Sequence, residues 1–338
     1  MTTQNWITLV FALTGFLFFT SCGDDEEITT PTTSTTTEDY TGTASVSQGM
    51  GTASSTNLYA SGSRVAPLGT ITAEDNTVWN VPATVNFTDN TFPIAPDLYN
   101  PDGTQHGSVA AALAAFDAND VVEIDANGEL ITGYIFSDNY FELYINGVPV
   151  GKDAIPFTQF NSSIVQFRVE RPFTIAIKAV DWEEDLGLGT ETGQGSDYHA
   201  GDGGIVAVFQ DTNGDMIATT GSEWKAQTFY TAPIKDLTCP TENGTTRSTA
   251  NCDTDDSDDA TSFYALHWEV PTDWMNEGFD DSDWPSATTY TNETIVVNNK
   301  PSYTTFTDIF DAGNDDAEFI WSTNVILDNE VIVRYTVE

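Results

Sequence analysis

From about Leu58 to the C-terminus the chain is a series of short alternating or β-branched runs, each closed by Gly, Asn, Asp or Pro. Side chains of a strand alternate between two faces, so this spacing specifies β structure and leaves little room for long helices. The clearest unit is Tyr140-Phe-Glu-Leu-Tyr-Ile-Asn-Gly-Val-Pro-Val-Gly151. Asn146-Gly147 tolerates the positive φ of a tight hairpin turn. The alternation places Phe141, Leu143 and Ile145 on one face and Tyr140, Glu142 and Tyr144 on the other. Further strands are expected at Ile164–Val169, Phe173–Val180, Ile205–Gln210, Met216–Thr220, Phe263–Glu269, Phe319–Leu327 and Val331–Val337. The one helix expected is the Ala-rich Ser108–Phe116, with Ser108 as its cap.

Many short strands with one short helix predict a mainly β protein, a β-sandwich of jelly-roll type. The composition supplies a core for it: 39% of residues are hydrophobic and 12% aromatic, far from the make-up of a disordered acidic chain. Charge sets the partners. Ten Lys and Arg against 52 Asp and Glu give a formal net charge of −42, a field that repels nucleic-acid phosphates and anionic lipid headgroups.

Residues 6–19 are an apolar run of signal-peptide length, ending in Thr20-Ser21-Cys22 and followed by Gly23-Asp24-Asp25-Glu26-Glu27. This resembles a bacterial lipoprotein signal, in which the Cys is acylated and becomes the mature N-terminus. Phe19 stands where such signals usually carry Leu. The acidic run after the Cys resembles the surface-export signal of Bacteroidetes-type lipoproteins. The resemblance implies lipidation at Cys22, an outer-membrane, surface-exposed location and membrane attachment through the lipid alone. The expected division is 1–21 signal peptide, 22–57 acidic and Thr/Ser-rich tether, and 58–338 sandwich domain with an N-terminal extension at 58–130. In that compartment Cys239 and Cys252 are expected to form a disulfide around a loop, 241–250, too polar to pack; a metal site is the competing reading.

Several segments in order resemble the galactose-binding-like sandwich modules that precede the catalytic part of bacterial α-L-rhamnosidases. They are Asp138–Gly151, Phe173–Val180, Val206–Ala226 and, most specific, Gly278-Phe-Asp-Asp-Ser-Asp-Trp-Pro-Ser-Ala287, whose Trp284 is a structural plug in such modules. The likeness spans roughly 130–290. No stretch resembles the helical catalytic barrel of those enzymes, so the resemblance implies carbohydrate binding and not hydrolysis.

The insert Asp181-Trp-Glu-Glu-Asp185 and the loop Tyr198-His-Ala-Gly-Asp-Gly-Gly204 adjoin two expected strands, which places both on one rim of the sandwich. Read functionally, Trp182 or Tyr198 stacks on a sugar while Glu184, His199 and Asp202 bond its hydroxyls; read structurally, the loops close the fold and Trp182 is core. Trp274, among turn-formers and acids, is a second candidate stacking residue. Clustered carboxylates invite calcium, which takes six to eight oxygens. Asp181, Glu183 and Asp185 form one candidate group, and Asp253 and Asp255 in the acidic run after Cys252 another. Asp211-Thr-Asn-Gly-Asp215 lacks the later positions of a calcium loop and reads as a hairpin turn. No nucleophile elbow and no paired zinc-type His occur, which argues against an enzyme; His199 with Asp197 and Asp202 is the one constellation with catalytic potential. The expectation is a non-catalytic surface lipoprotein that binds carbohydrate. A calcium-stabilised structural or adhesion protein of the cell envelope is the alternative, and a glycan-active enzyme the third reading.

Overall fold

The structure, a computed structural model, describes residues 37–59, 64–157, 159–192, 198–313 and 316–338. The signal peptide, Cys22 and Asp197 lie outside them. Among the described residues no helix is long and apolar enough to cross a membrane.

Two largely antiparallel sheets form a β-sandwich. The first has seven strands in the order Ser45–Gln48, Tyr264–His267, Lys225–Ile234, Asp328–Val337, Phe173–Val180, Tyr140–Ile145 and Val148–Lys152. The second runs Thr288–Tyr290, Phe319–Trp321, Gly204–Gln210, Glu129–Asp138, Ser162–Val169 and Asp97–Tyr99, with Met216–Thr219 and Val122–Glu123 paired at its sides. The expected alternation holds. Phe141, Leu143, Ile145, Phe173, Ile175, Ile177, Val331 and Val333 face inward and meet Ile131, Ile135, Val165, Phe167, Ala207 and Phe209 of the second sheet in one core. Each such side chain contributes about 1.5–3 kcal/mol by leaving water. Trp321 and Trp224 are fully buried beside them.

The helix forms at Val109–Ala115, where Ser108 Oγ accepts from the Ala111 N–H at 3.2 Å. Two four-residue helices, Pro301–Thr304 and Thr307–Phe310, are additional. The expected strand Phe319–Leu327 stops at Trp321. There the buried Asp328 carboxylate gathers Ser322, Thr231 and Thr249 hydroxyls and the Asn324 N–H, which folds the chain across to the other sheet. The tether boundary also moves. Ser45–Gln48 is an edge strand paired with Tyr264–His267, and Thr52–Ser55 joins a three-stranded sheet with Leu68–Thr72 and Val78–Val81. Its Thr/Ser-rich composition conceals partners supplied from far along the chain.

Cys239 and Cys252 are disulfide-bonded. The polar loop they enclose packs after all. Thr241–Asn243 and Thr246–Ser248 form a hairpin that lays the Arg247 guanidinium 4.6 Å from the Trp268 ring centroid and 5.0 Å from that of Phe229. Asp211–Asp215 is a hairpin turn, with Asp211 Oδ1 accepting from the Asn213 and Asp215 N–H groups. Trp284 is buried against Phe229 and Phe279, the packing expected of a plug.

Candidate functional site

The outer face of the seven-stranded sheet carries buried charge where a sandwich normally meets water. Glu142, Lys178 and Glu330 are all 6% exposed or less. Their strands turn apolar residues inward, so the polar positions point out, and two segments cover them: the stretch from Trp79 to Phe92 and the stretch from Trp268 to Trp284. Lys178 bonds Glu330 at 2.8 Å and the Thr84 carbonyl at 2.7 Å. Glu142 accepts from the Asn86 N–H, from Asn86 Nδ2 at 2.8 Å and from the Tyr140 and Tyr144 hydroxyls.

Between the two covers lies an open cleft of about 560 Å³, within the usual range of small-molecule sites. Glu142, Lys178 and Glu330 form its floor, with Asn80 and Asn86 beside them; Trp79, Tyr144, Tyr230, Trp268 and Trp274 wall it. Trp79, His267 and Tyr230 stack in series, with centroids 5.4 and 4.9 Å apart and planes within 11° and 6° of parallel. Burial depresses His267 to about 3, so its ring is neutral, and it bonds Ser47 Oγ at 2.8 Å. Trp274 packs edge-on to Tyr144 at 5.2 Å. Trp79, half-buried, carries an indole N–H with no protein acceptor, and the buried Tyr230 hydroxyl has no partner either. A second cleft of about 410 Å³ shares Trp79, His267, Trp268 and Glu269 with the first, so the aromatic wall continues beyond one compartment.

The rim expected from the sequence forms elsewhere, and in part. The Phe173–Val180 strand leads into Asp181 and Glu183. The loop before Gly204–Gln210 brings Asp202, and Asp138 lies opposite Gly204 in the register. With Glu191, Arg64, His199 and Lys300 they line a pocket of about 340 Å³. Burial, then repulsion from neighbouring carboxylates, raises Asp138, Asp181 and Glu183 well above the usual carboxylate range. Burial pushes Asp202 up to about 6, against the pull of His199 and Lys300.

The stacking role expected of Trp182 does not hold. The side chain is 0% exposed, packed edge-on to Tyr140 and Phe87, and its Nε1 donates to the Pro67 carbonyl at 3.0 Å. A residue between two acids faces the opposite side from both, and here that side is core. Glu184 does not face the pocket either: it accepts from the Thr192 N–H and hydroxyl. Tyr198 pairs through its backbone with Ser257, and His199 Nδ1 lies 2.7 Å from Asp256 Oδ1, so the acidic loop after Cys252 docks on this segment. The expected metal groups separate. Asp185 meets the Thr190 hydroxyl at 3.2 Å, Asp253 pairs with Lys235 at 3.3 Å, and Asp255 is exposed. Among the described residues no three His, Cys, Asp or Glu side chains converge as metal ligands.

Of the expected ligand-binding residues, Trp274 alone lines the aromatic cleft. The others of the cleft were missed, although a signal existed. Glu142 and Lys178 each interrupt a largely apolar strand at an outward position, and Glu330 sits at an outward position where its strand turns apolar. No family model, curated protein or solved structure matches the chain.

Proposed function

We propose that the protein is a non-catalytic carbohydrate-binding surface lipoprotein, anchored through Cys22 and binding neutral glycan in the aromatic cleft. The observation that carries this reading is the combination of aromatic walls with a hydrogen-bonded floor. Aromatic faces receive the apolar faces of sugar rings, while carboxylates, amides and an ammonium held in place by the protein bond hydroxyls without reorganising. The floor groups are already fixed by Asn86, Thr84 and one another, so little ordering cost falls on binding. A charge of −42 disfavours sulfated or uronic glycans, which leaves neutral sugars. Continuity of the wall into the second cleft suits a chain of more than one sugar.

The test is an array of neutral oligosaccharides probed with the full chain and with Trp79→Ala. At least one glycan is expected to bind, and the variant to bind it at least tenfold more weakly, a loss of about 1.4 kcal/mol. Absence of any binder, or equal binding by the variant, would overturn the reading. Lipidation is tested separately: incorporation of labelled palmitate by bacterial cells expressing the chain is expected to vanish in Cys22→Ser.

A further inference from the structure

The acidic pocket at the sandwich rim shares no lining residue with the cleft. Asp181 and Glu183 are 1% and 4% exposed, and Asp181 Oδ2 and Glu183 Oε2 have no hydrogen-bond partner; nor does Asp202 Oδ2. A buried acceptor left unpaired costs about 1–3 kcal/mol, and more when charged, so such oxygens signal a missing donor. Of the protein's own cations at the pocket, Arg64 pairs with Glu191, and the Lys300 ammonium, 3.7 Å from the Phe160 ring centroid, acts on Asp202 without hydrogen-bonding Asp202 Oδ2.

The chemistry of the missing donor follows from the acidity of these acceptors and the size of the pocket. A single metal ion needs several oxygens around one point, and among the described residues no three carboxylates converge that way. A cavity of about 340 Å³ also holds far more than a bare ion. Three buried acidic acceptors in a sugar-sized space fit a ligand that distributes its donors over a frame, positive at one end and hydroxylated elsewhere. We propose that this pocket binds an amino sugar with a free primary ammonium. The ammonium's three N–H donors reach Asp181 and Glu183, and ring hydroxyls meet Asp202 at the mouth.

Glucosamine, galactosamine and mannosamine, their N-acetyl counterparts and calcium chloride are titrated calorimetrically into the full chain in detergent at about pH 7, where the amine is largely protonated. At least one free amine is expected to bind with a Kd of about 1 mM or tighter, and its acetylated form at least tenfold more weakly. Glu183→Gln is expected to weaken binding at least tenfold without lowering the melting temperature. Lys300→Met, which removes a competing cation, is expected to strengthen it several-fold, a gain that a purely structural Lys300 would not produce. Binding by none of the three amines, equal binding of an acetylated form, or calcium binding that Glu183→Gln abolishes would each overturn the proposal. The acetyl comparison uses the unaltered protein, so it stands whether or not a variant folds. None of these outcomes bears on neutral glycan in the cleft.

Discussion

The aromatic cleft and the acidic pocket both rest on buried carboxylates, and they treat them in opposite ways. In the cleft, Glu330 has Lys178, and Glu142 has Asn86 and two tyrosine hydroxyls. In the pocket, Asp181, Glu183 and Asp202 each leave an oxygen unpaired. A buried carboxylate with a partner is held in place to meet a ligand's hydroxyls; one with an unpaired oxygen is a vacancy for a ligand's charged donor. Tyr230 joins the two regions. It walls the cleft, and after burial the charges of Asp181 and Glu183 are what raise its hydroxyl's pKa.

The contrast breaks most sharply at Lys178. Lys178→Met leaves Glu330 buried without its cation and is expected to cost about 3–5 kcal/mol, read as the shift in urea midpoint at constant slope. Adding Glu330→Gln should recover much of that loss. If Lys178→Met costs less than about 1 kcal/mol, the cleft floor is solvated and its carboxylates are no better held than those of the pocket.

The pH dependence of stability is the next largest effect. Burial raises Asp153 to about 7 and Asp328 and Asp202 to about 6, and with neighbouring carboxylates raises Asp138, Asp181 and Glu183 well above the ordinary range. The unfolded chain releases these protons near pH 4 while the folded chain keeps them. The stabilising contribution of Asp153, Asp328 and Asp202 is therefore full below about pH 4 and is lost as pH rises through about 6 to 7; that of the other three carboxyls has the same sign. His267, kept neutral down to about 3, acts oppositely: its contribution is present above about 6.5 and lost as pH falls. The acids outnumber it, so the melting temperature is expected to rise on going from about pH 8 to 5. Scanning calorimetry showing a fall over that interval would place these carboxylates in water.

Smaller and opposite in sign to Lys178→Met, Glu183→Gln replaces a buried carboxyl whose ionisation burial disfavours and whose Oε2 has no hydrogen-bond partner. It is expected to raise the melting temperature by about 2 °C, the shift produced by about 1 kcal/mol in a chain of this size. A drop of the same size would show that the pocket carboxylate is paired within the protein. Least affected in stability is Trp79→Ala, at a half-buried position, which is expected to alter glycan binding while leaving the urea midpoint nearly unchanged.

Local pattern made much of the sandwich legible in the sequence. The 140–151 hairpin, the Phe173–Val180 strand, the capped helix and the disulfide follow from residues close together in the chain. The same local reading brought Asp181, Glu183 and Asp202 to one rim. It failed where distant segments decide. Ser45–Gln48 reads as tether until its partner Tyr264–His267 arrives. The 140–145 alternation put Glu142 outward, yet outward here means buried, because Trp79–Phe92 and Trp268–Trp284 close over that face. Trp182 attracted a ligand role through its acidic neighbours, and alternation gave the neighbours the pocket and the indole the core.

The most direct test of glycan binding in the cleft uses the indole N–H resonances of the eight tryptophans. Uniformly ¹⁵N-labelled full chain in detergent is titrated with cello-, manno-, xylo- and galacto-oligosaccharides. The expected result is a saturable shift of Trp79, Trp268 and Trp274 with at least one of these sugars, while Trp182, Trp224 and Trp321 stay in place. No movement of the three cleft indoles with any of them, or movement confined to Trp182, would contradict it.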